Sequence, residues 1–188
     1  MAAELKIETI YGPISQSVMD KLSKVRLLML DVDGTLTDGG VYLDNKDGEF
    51  KKFFTKDGLG LVQLQRTTDC VCAVITGREA HLTERRCEEC SIKYVIQGQG
   101  LKDKAAMKLQ QQLNIHSDNC VAIGDDLNDL PMFRCAGISA CPSDAHPYIL
   151  RYADLKMHMP GGHGAVREIC DLIMMAKGVM DQSGKLLA

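Results

Sequence analysis

The chain has 188 residues, 45% hydrophobic and 25% charged, with a formal net charge of −3. A chain of this length and composition is expected to fold as one globular domain over residues 1–188, burying roughly 70% of its unfolded surface. The small negative charge gives no reason to expect nucleic acid or an anionic membrane as partner. No apolar run approaches the roughly 18 residues of a membrane span, and no apolar segment follows basic residues as a secretory signal would; the expected location is the cytoplasm.

In chain order, residues 1–24 read as a loop and a short helix leading into a first strand over 25–30. Residues 41–54 read as a β-hairpin turning at Asn45-Lys46-Asp47-Gly48. Further strands are expected at 70–75, 94–96, 120–123, 138–141 and 155–159. Helical patterns fall between them at 58–68, 79–90, 102–113, 128–135, 144–151 and 164–176, and residues 179–188 read as a polar tail. Strands alternating with helices define an α/β class: a Rossmann-like parallel sheet with helices on both faces, here carrying a small hairpin flap after the first strand.

Ligands of such sheets bind at the carboxyl ends of the strands, and these ends are chemically loaded. The first strand runs into Asp31-Val32-Asp33-Gly34-Thr35. Two carboxylates one residue apart repel each other unless the chain turns or a cation sits nearby. The second ends in Thr76-Gly77-Arg78, suited to an anion at a helix start, and the third leads through Gln97-Gly98-Gln99-Gly100 to Lys102. The fourth ends in Gly124-Asp125-Asp126-Leu127-Asn128-Asp129. Acids, a hydroxyl and an ammonium on one rim meet the needs of phosphoryl transfer assisted by a hard divalent cation.

Taken in order, Asp31 with Asp33, Thr76, Lys102, and Asp125 resemble the four motifs of the haloacid dehalogenase superfamily. The resemblance implies that Asp31 is the nucleophile and Asp33 the general acid and base. It implies Mg2+ on Asp31, Asp125 and the Asp33 carbonyl, with Asp126 or Asp129 behind them, and phosphoryl oxygens held by Thr76, Gly77 and Lys102. Tyr11-Gly12-Pro13, Lys56-Asp57-Gly58, Asp144-Ala145-His146-Pro147 and Gly161-Gly162-His163-Gly164 resemble a branch without a cap domain. That branch acts on 3-deoxy-D-manno-octulosonate 8-phosphate in lipopolysaccharide precursor synthesis. It implies a homotetramer, and substrate contacts from Asp33, Thr55, Lys56, Asp57, Gly58, Arg78, Arg86 and Lys102. His163 departs from the arginine or lysine usual in the branch.

Competing readings stand beside these. Lys104 could replace Lys102, Asp57 could be a helix cap, and Arg78 and Arg86 could be solvated helix charges. His146 reads as structural, Asp144 as a helix cap. The eight cysteines, including Cys87 and Cys90 of a lone C-x-x-C, read as reduced small hydrophobes. A hairpin bearing Val41, Leu43, Phe50, Phe53 and Phe54 is apolar enough to mark an interface. Alternative functions are hydrolysis of a nine-carbon acidic sugar 9-phosphate, a phospho-aspartate receiver domain, and a silent assembly module.

Overall fold

A computed structural model describes residues 5–45 and 48–187; Lys46 and Asp47 of the expected turn lie outside the described residues. The N-terminal segment is more regular than a loop. An antiparallel hairpin, β1 (Lys6–Thr9) and β2 (Gly12–Ser15), lays Ile7 and Ile14 against the core. Helix α1 (Gln16–Leu22) follows, its start capped by the Ser15 hydroxyl, which accepts from Val18 N.

Strand β3 (Leu27–Leu30) is buried at all four positions. It shows no polar–apolar alternation because both of its faces are covered, the condition of a central parallel strand. A short antiparallel pair, β4 (Tyr42–Leu43) and β5 (Glu49–Phe50), then forms the flap. Helix α2 (Thr55–Thr67), strand β6 (Val71–Ile75), helix α3 (His81–Glu89), strand β7 (Tyr94–Ile96) and helix α4 (Lys102–Leu113) come next. The chain ends with β8 (Cys120–Ile123), α5 (Leu130–Phe133), β9 (Ile138–Cys141), α6 (Pro147–Tyr152), β10 (Leu155–Lys156) and α7 (Ala165–Ala176). The helix expected over 128–135 is divided: a 3-10 turn covers Leu127–Asp129 before α5 begins.

The sheet order is β10-β9-β8-β3-β6-β7, all parallel. Two cores follow from the strand pleat. Leu28 and Leu30 face a cluster with residues of α1, α2, α3 and α7, while Leu27 and Met29 face one with residues of α4, α5 and α6. The order reverses between β3 and β8, which opens a crevice beyond their carboxyl ends. The site lies there.

Three expectations about local structure change. Residues 179–188 are no solvated tail: Met180 is buried and bridges to Leu186, and Ile10 N donates to Gln182 O. Asp144 does not cap a helix but accepts from Gly161 N at 2.9 Å; the cap of α6 is the His146 ring, which accepts from Tyr148 N. Asp57 caps a helix other than its own. It sits on the third residue of α2 yet accepts from Arg167 N, 2.8 Å away, at the otherwise uncapped start of α7. All eight cysteines are free, and burial pushes the Cys87 thiol up to about 12, so the C-x-x-C pair is inert packing.

The Tyr11 hydroxyl donates to Asp171 Oδ2 at 2.6 Å, fastening the β1–β2 turn to α7, while Arg167 Nε holds Asp171 Oδ1 at 2.7 Å. Asp171 is buried, so removing the hydroxyl strands a buried acceptor. Tyr11→Phe should lower unfolding free energy by about 1–3 kcal/mol in urea titrations. An unchanged midpoint would mean that the N-terminal hairpin is not fastened through this bond.

Candidate active site

After β3 the backbone leaves the sheet and turns, so Asp31 and Asp33 do not share a face. Asp31 points into the protein and is 4% exposed, while Asp33 is half-buried at the rim. Gly34 makes the turn with φ +89°, and a Cβ there would lie 2.1 Å from Asp125 Oδ2, so only glycine lets the β3 and β8 ends close up.

Lys102 is the first residue of α4, where a cation opposes the helix dipole. Its ammonium is buried and donates to Asp31 Oδ1 and Asp129 Oδ1, each at 2.6 Å. Burial pulls the Lys102 pKa down, but the Asp31 and Asp129 charges outweigh it and hold it above the ordinary lysine value. Burial and the Asp129 charge push Asp31 up, with Lys102 opposing them. Lys104 is exposed and its backbone amide donates to Asp103; Lys102 is the lysine that reaches the carboxylates.

Asp129 accepts from Lys102 on Oδ1 and from the amides of Asp125 and Asp126 on Oδ2, at 3.0 and 3.2 Å. It is an orienting group with both oxygens occupied. Asp126 is exposed and accepts from Leu127 N. Asp125 Oδ1 accepts from the Thr35 hydroxyl at 3.2 Å. Burial, then the Asp31 and Asp129 charges, raise the Asp125 carboxyl to about 7.

Carboxylate oxygens of Asp31, Asp125 and Asp129 lie within 4.8 Å of one another. Three carboxylates facing one ammonium leave two negative charges uncompensated, and oxygen donors at this spacing fit a hard divalent cation. Asp31 and Asp125 each keep an oxygen outside the hydrogen bonds just described, so these two suit direct ligation.

Asp31, Asp33, Thr76, Gly77, Arg78, Asp125, Asp126, Leu127 and Asn128 line an open cleft of about 390 Å³. Thr76 is buried at the end of β6, its hydroxyl accepting from Arg78 N. Arg78 lies on the rim, its guanidinium on Glu49 Oε1 at 2.9 Å. Thr55 and Lys56 are exposed at the start of α2, with Lys56 Nζ over the Phe54 ring.

Other expected substrate residues have different surroundings. Arg86 runs beneath α2, donates to Phe54 O and Glu89, and stacks over Phe53. Gly58 is where it passes, since a Cβ there would lie 2.2 Å from Arg86 Nη2. With Asp57 these residues line a separate small cavity on the core side of α2. Arg86, Asp57 and Gly58 therefore join α2 to α3 and α7 instead of facing the cleft, because their helix faces point inward.

One residue escaped the sequence reading. Lys51, just after β5, buries its side chain and donates from Nζ to Asp33 Oδ1; it also lies 3.8 Å from Glu49. A signal existed, since residues 49 and 51 share a strand face.

The family model for haloacid dehalogenase-like hydrolases matches residues 91–168. A 3-deoxy-D-manno-octulosonate 8-phosphate phosphatase of Escherichia coli K12 is 42% identical over 96% of both chains. The crystal structure of the Yersinia pestis phosphatase of the same name superposes with a TM-score of 0.92, at 38% identity, over 98% of this chain and 100% of that one. The Moraxella catarrhalis phosphatase of the same name, solved in complex with a magnesium ion, a phosphate ion and a KDO molecule, gives 0.83 at 36% identity over 86% and 92%. The chain belongs to the 3-deoxy-D-manno-octulosonate 8-phosphate phosphatase family of haloacid dehalogenase-like hydrolases.

The raised Asp125 carboxyl sets a sign for pH. A folded pKa above the ordinary 3.8 means that, without metal, this group favours the fold at low pH and opposes it as pH rises through about 7. Divalent cations need the ionised form. Millimolar Mg2+ should therefore raise Tm clearly at pH 8 and little at pH 5.5, and Asp125→Asn should remove the pH 8 shift. Equal shifts at both pH values would place the metal elsewhere.

Proposed function

We infer that this chain is a Mg2+-dependent phosphoric monoester hydrolase that converts 3-deoxy-D-manno-octulosonate 8-phosphate to the free sugar acid and phosphate. The observation that carries the reading is the buried Asp31–Lys102–Asp129 group, with Asp125 beside it, at the switch point of a sheet shared with phosphatases of that name.

Asp31 is the nucleophile: its carboxylate oxygen attacks phosphorus, and the ester oxygen of the sugar departs with a proton from Asp33. Asp33 then takes a proton from the water that hydrolyses the aspartyl-phosphate, which releases phosphate and restores Asp31. Lys102 favours the ionised form of Asp31 against burial and the Asp129 charge, orients it, and adds positive charge beside the transferring group. The Thr76 hydroxyl and the Gly77 amide serve the phosphoryl oxygens. Asp31, Asp125 and the Asp33 carbonyl would hold Mg2+, which would supply charge neutralisation for the phosphoryl group. Arg78 on the rim, and Lys56 exposed at the start of α2, supply positive charge for the sugar carboxylate.

Asp31→Asn should lower phosphate release from 3-deoxy-D-manno-octulosonate 8-phosphate by about 10⁶-fold, the scale for loss of a nucleophile. Near-normal turnover by this variant, or full activity of the native chain in EDTA, would remove the mechanism.

No helix among the described residues is long and apolar enough to cross a membrane; we propose a cytoplasmic location for the enzyme. A homotetramer built on the flap is the second part of the proposal. Val41, Leu43 and Phe50 are exposed by 55%, 73% and 60%, whereas Phe53 turns inward against the core after the Thr37–Phe53 bridge. The patch is smaller than the sequence suggested, but still apolar. Light scattering should return about four times 20.7 kDa; a stable monomer would refute the assembly and leave the chemistry standing.

A further inference from the structure

The flap reaches the reacting groups through one side chain. The Lys51 side chain is 3% exposed, and its ammonium donates to Asp33 Oδ1. Its nearest other charge is Glu49 at 3.8 Å, and Glu49 is held at 2.9 Å by Arg78, on the loop after β6. A series Arg78–Glu49–Lys51–Asp33 thus runs across the mouth of the cleft, from one strand end to the next. A buried ammonium needs a partner charge to offset its lost hydration, so the Lys51 side chain is committed to Asp33. The commitment is mutual among the described residues: no other side chain is within hydrogen-bond distance of the Asp33 carboxyl, which is 27% exposed.

We propose that Lys51 is the positioning residue for Asp33, clamping Oδ1 so that Oδ2 is presented to the leaving oxygen and later to the hydrolytic water. The proposal rests on the phosphatase reading above and deepens it. A carboxylic acid on a free side chain samples several rotamers, and a proton donor that is out of line contributes little. With Oδ1 fixed from the flap, the proton sits on Oδ2, passes to the sugar oxygen as the P–O bond breaks, and leaves a carboxylate already paired with an ammonium. In the second half-reaction the same oxygen accepts the proton of water. Lys51 touches no reacting atom and neither gains nor loses a proton in either step.

Leaving groups separate this role from a structural one. A sugar alkoxide needs the proton that Asp33 supplies, whereas p-nitrophenolate leaves without one. Lys51→Met should slow single-turnover cleavage of 3-deoxy-D-manno-octulosonate 8-phosphate by about 10²-fold, the lower range for general-acid catalysis. The same variant should keep the p-nitrophenol burst from p-nitrophenyl phosphate within about threefold in rate and at one equivalent per site. Lys51→Arg, which keeps the charge, should recover part of the sugar-phosphate rate. In an Asp33→Asn background Lys51→Met should cost nothing further, because groups acting as one unit are not additive.

Equal losses on both substrates, absence of the burst, or additive losses in the double variant would overturn the proposal. Any of these would mean that Lys51 supports the flap or contacts phosphate by itself. Failure of the native chain to release phosphate from the sugar phosphate would refute the phosphatase reading instead, so the two failures are distinct.

Discussion

Everything at the cleft is arranged around one buried ammonium. Lys102 begins a helix at a position where the helix dipole disfavours a cation, and it is withdrawn from water. Both costs are offset only because Asp31, directly after β3, and Asp129, in the 3-10 turn that follows the adjacent β8, meet it. A buried ion pair of this kind is weak evidence for stability, since apolar packing would serve as well or better. It is good evidence for chemistry. One cation shared by two acids, with a third acid alongside, holds a negative centre poised for a divalent ion, in a place a stability-driven sequence would fill with leucine.

The sheet supplies the meeting point and the loops supply the reach. Because β3 and β8 are neighbours across the reversal of strand order, Asp31 and Asp125 are brought together without any long connection. Gly34 then permits an approach that any side chain would block, as the contact of its hypothetical Cβ with Asp125 makes plain. Farther out, Gly161 plays a comparable part: a Cβ there would meet Gly34 O at 1.8 Å, so the segment after β10 can lie directly on the nucleophile loop. His163 stands on that segment with its Nδ1 on Gly161 O and its Nε2 beside Lys52 of the flap. The position that departs from the usual basic residue still joins the C-terminal segment to the flap.

Much of this was legible in the sequence. The parallel sheet followed from apolar runs at regular spacing, and the strands at 94–96, 120–123 and 138–141 match residue for residue, since buried parallel strands leave a continuous hydrophobic signal. The acids and the lysine were legible because polar residues at strand ends conflict with local preference. Less visible was anything decided by packing between distant segments. Asp57 reads as the cap of its own helix, and nothing near it in sequence says that it caps α7, 110 positions away. Arg86 reads as a surface charge or a substrate ligand, but its direction is set by the glycine opposite it on α2. The β1–β2 hairpin and the folded-back C-terminal segment are short pieces that stabilise each other, with too little local periodicity to announce either one.

The open cleft raises the question of how a hydrolase without a cap keeps its reaction ordered. A cap excludes water and completes the acid–base machinery only when substrate is bound. Here the flap is only two residues wide on each side, and an isolated two-stranded ribbon is marginal in water. It holds its place through Thr37 against Phe53, through Lys52 on Asp38, and through Lys51 on Asp33. Its apolar side chains Val41, Leu43 and Phe50, in contrast, are each more than half exposed. A flap anchored at its base by ion pairs, with Val41, Leu43 and Phe50 left exposed, is stabilised further by whatever covers those side chains. If a second copy does so, the geometry of the proton donor becomes linked to assembly, and the work of a mobile cap passes to a subunit contact.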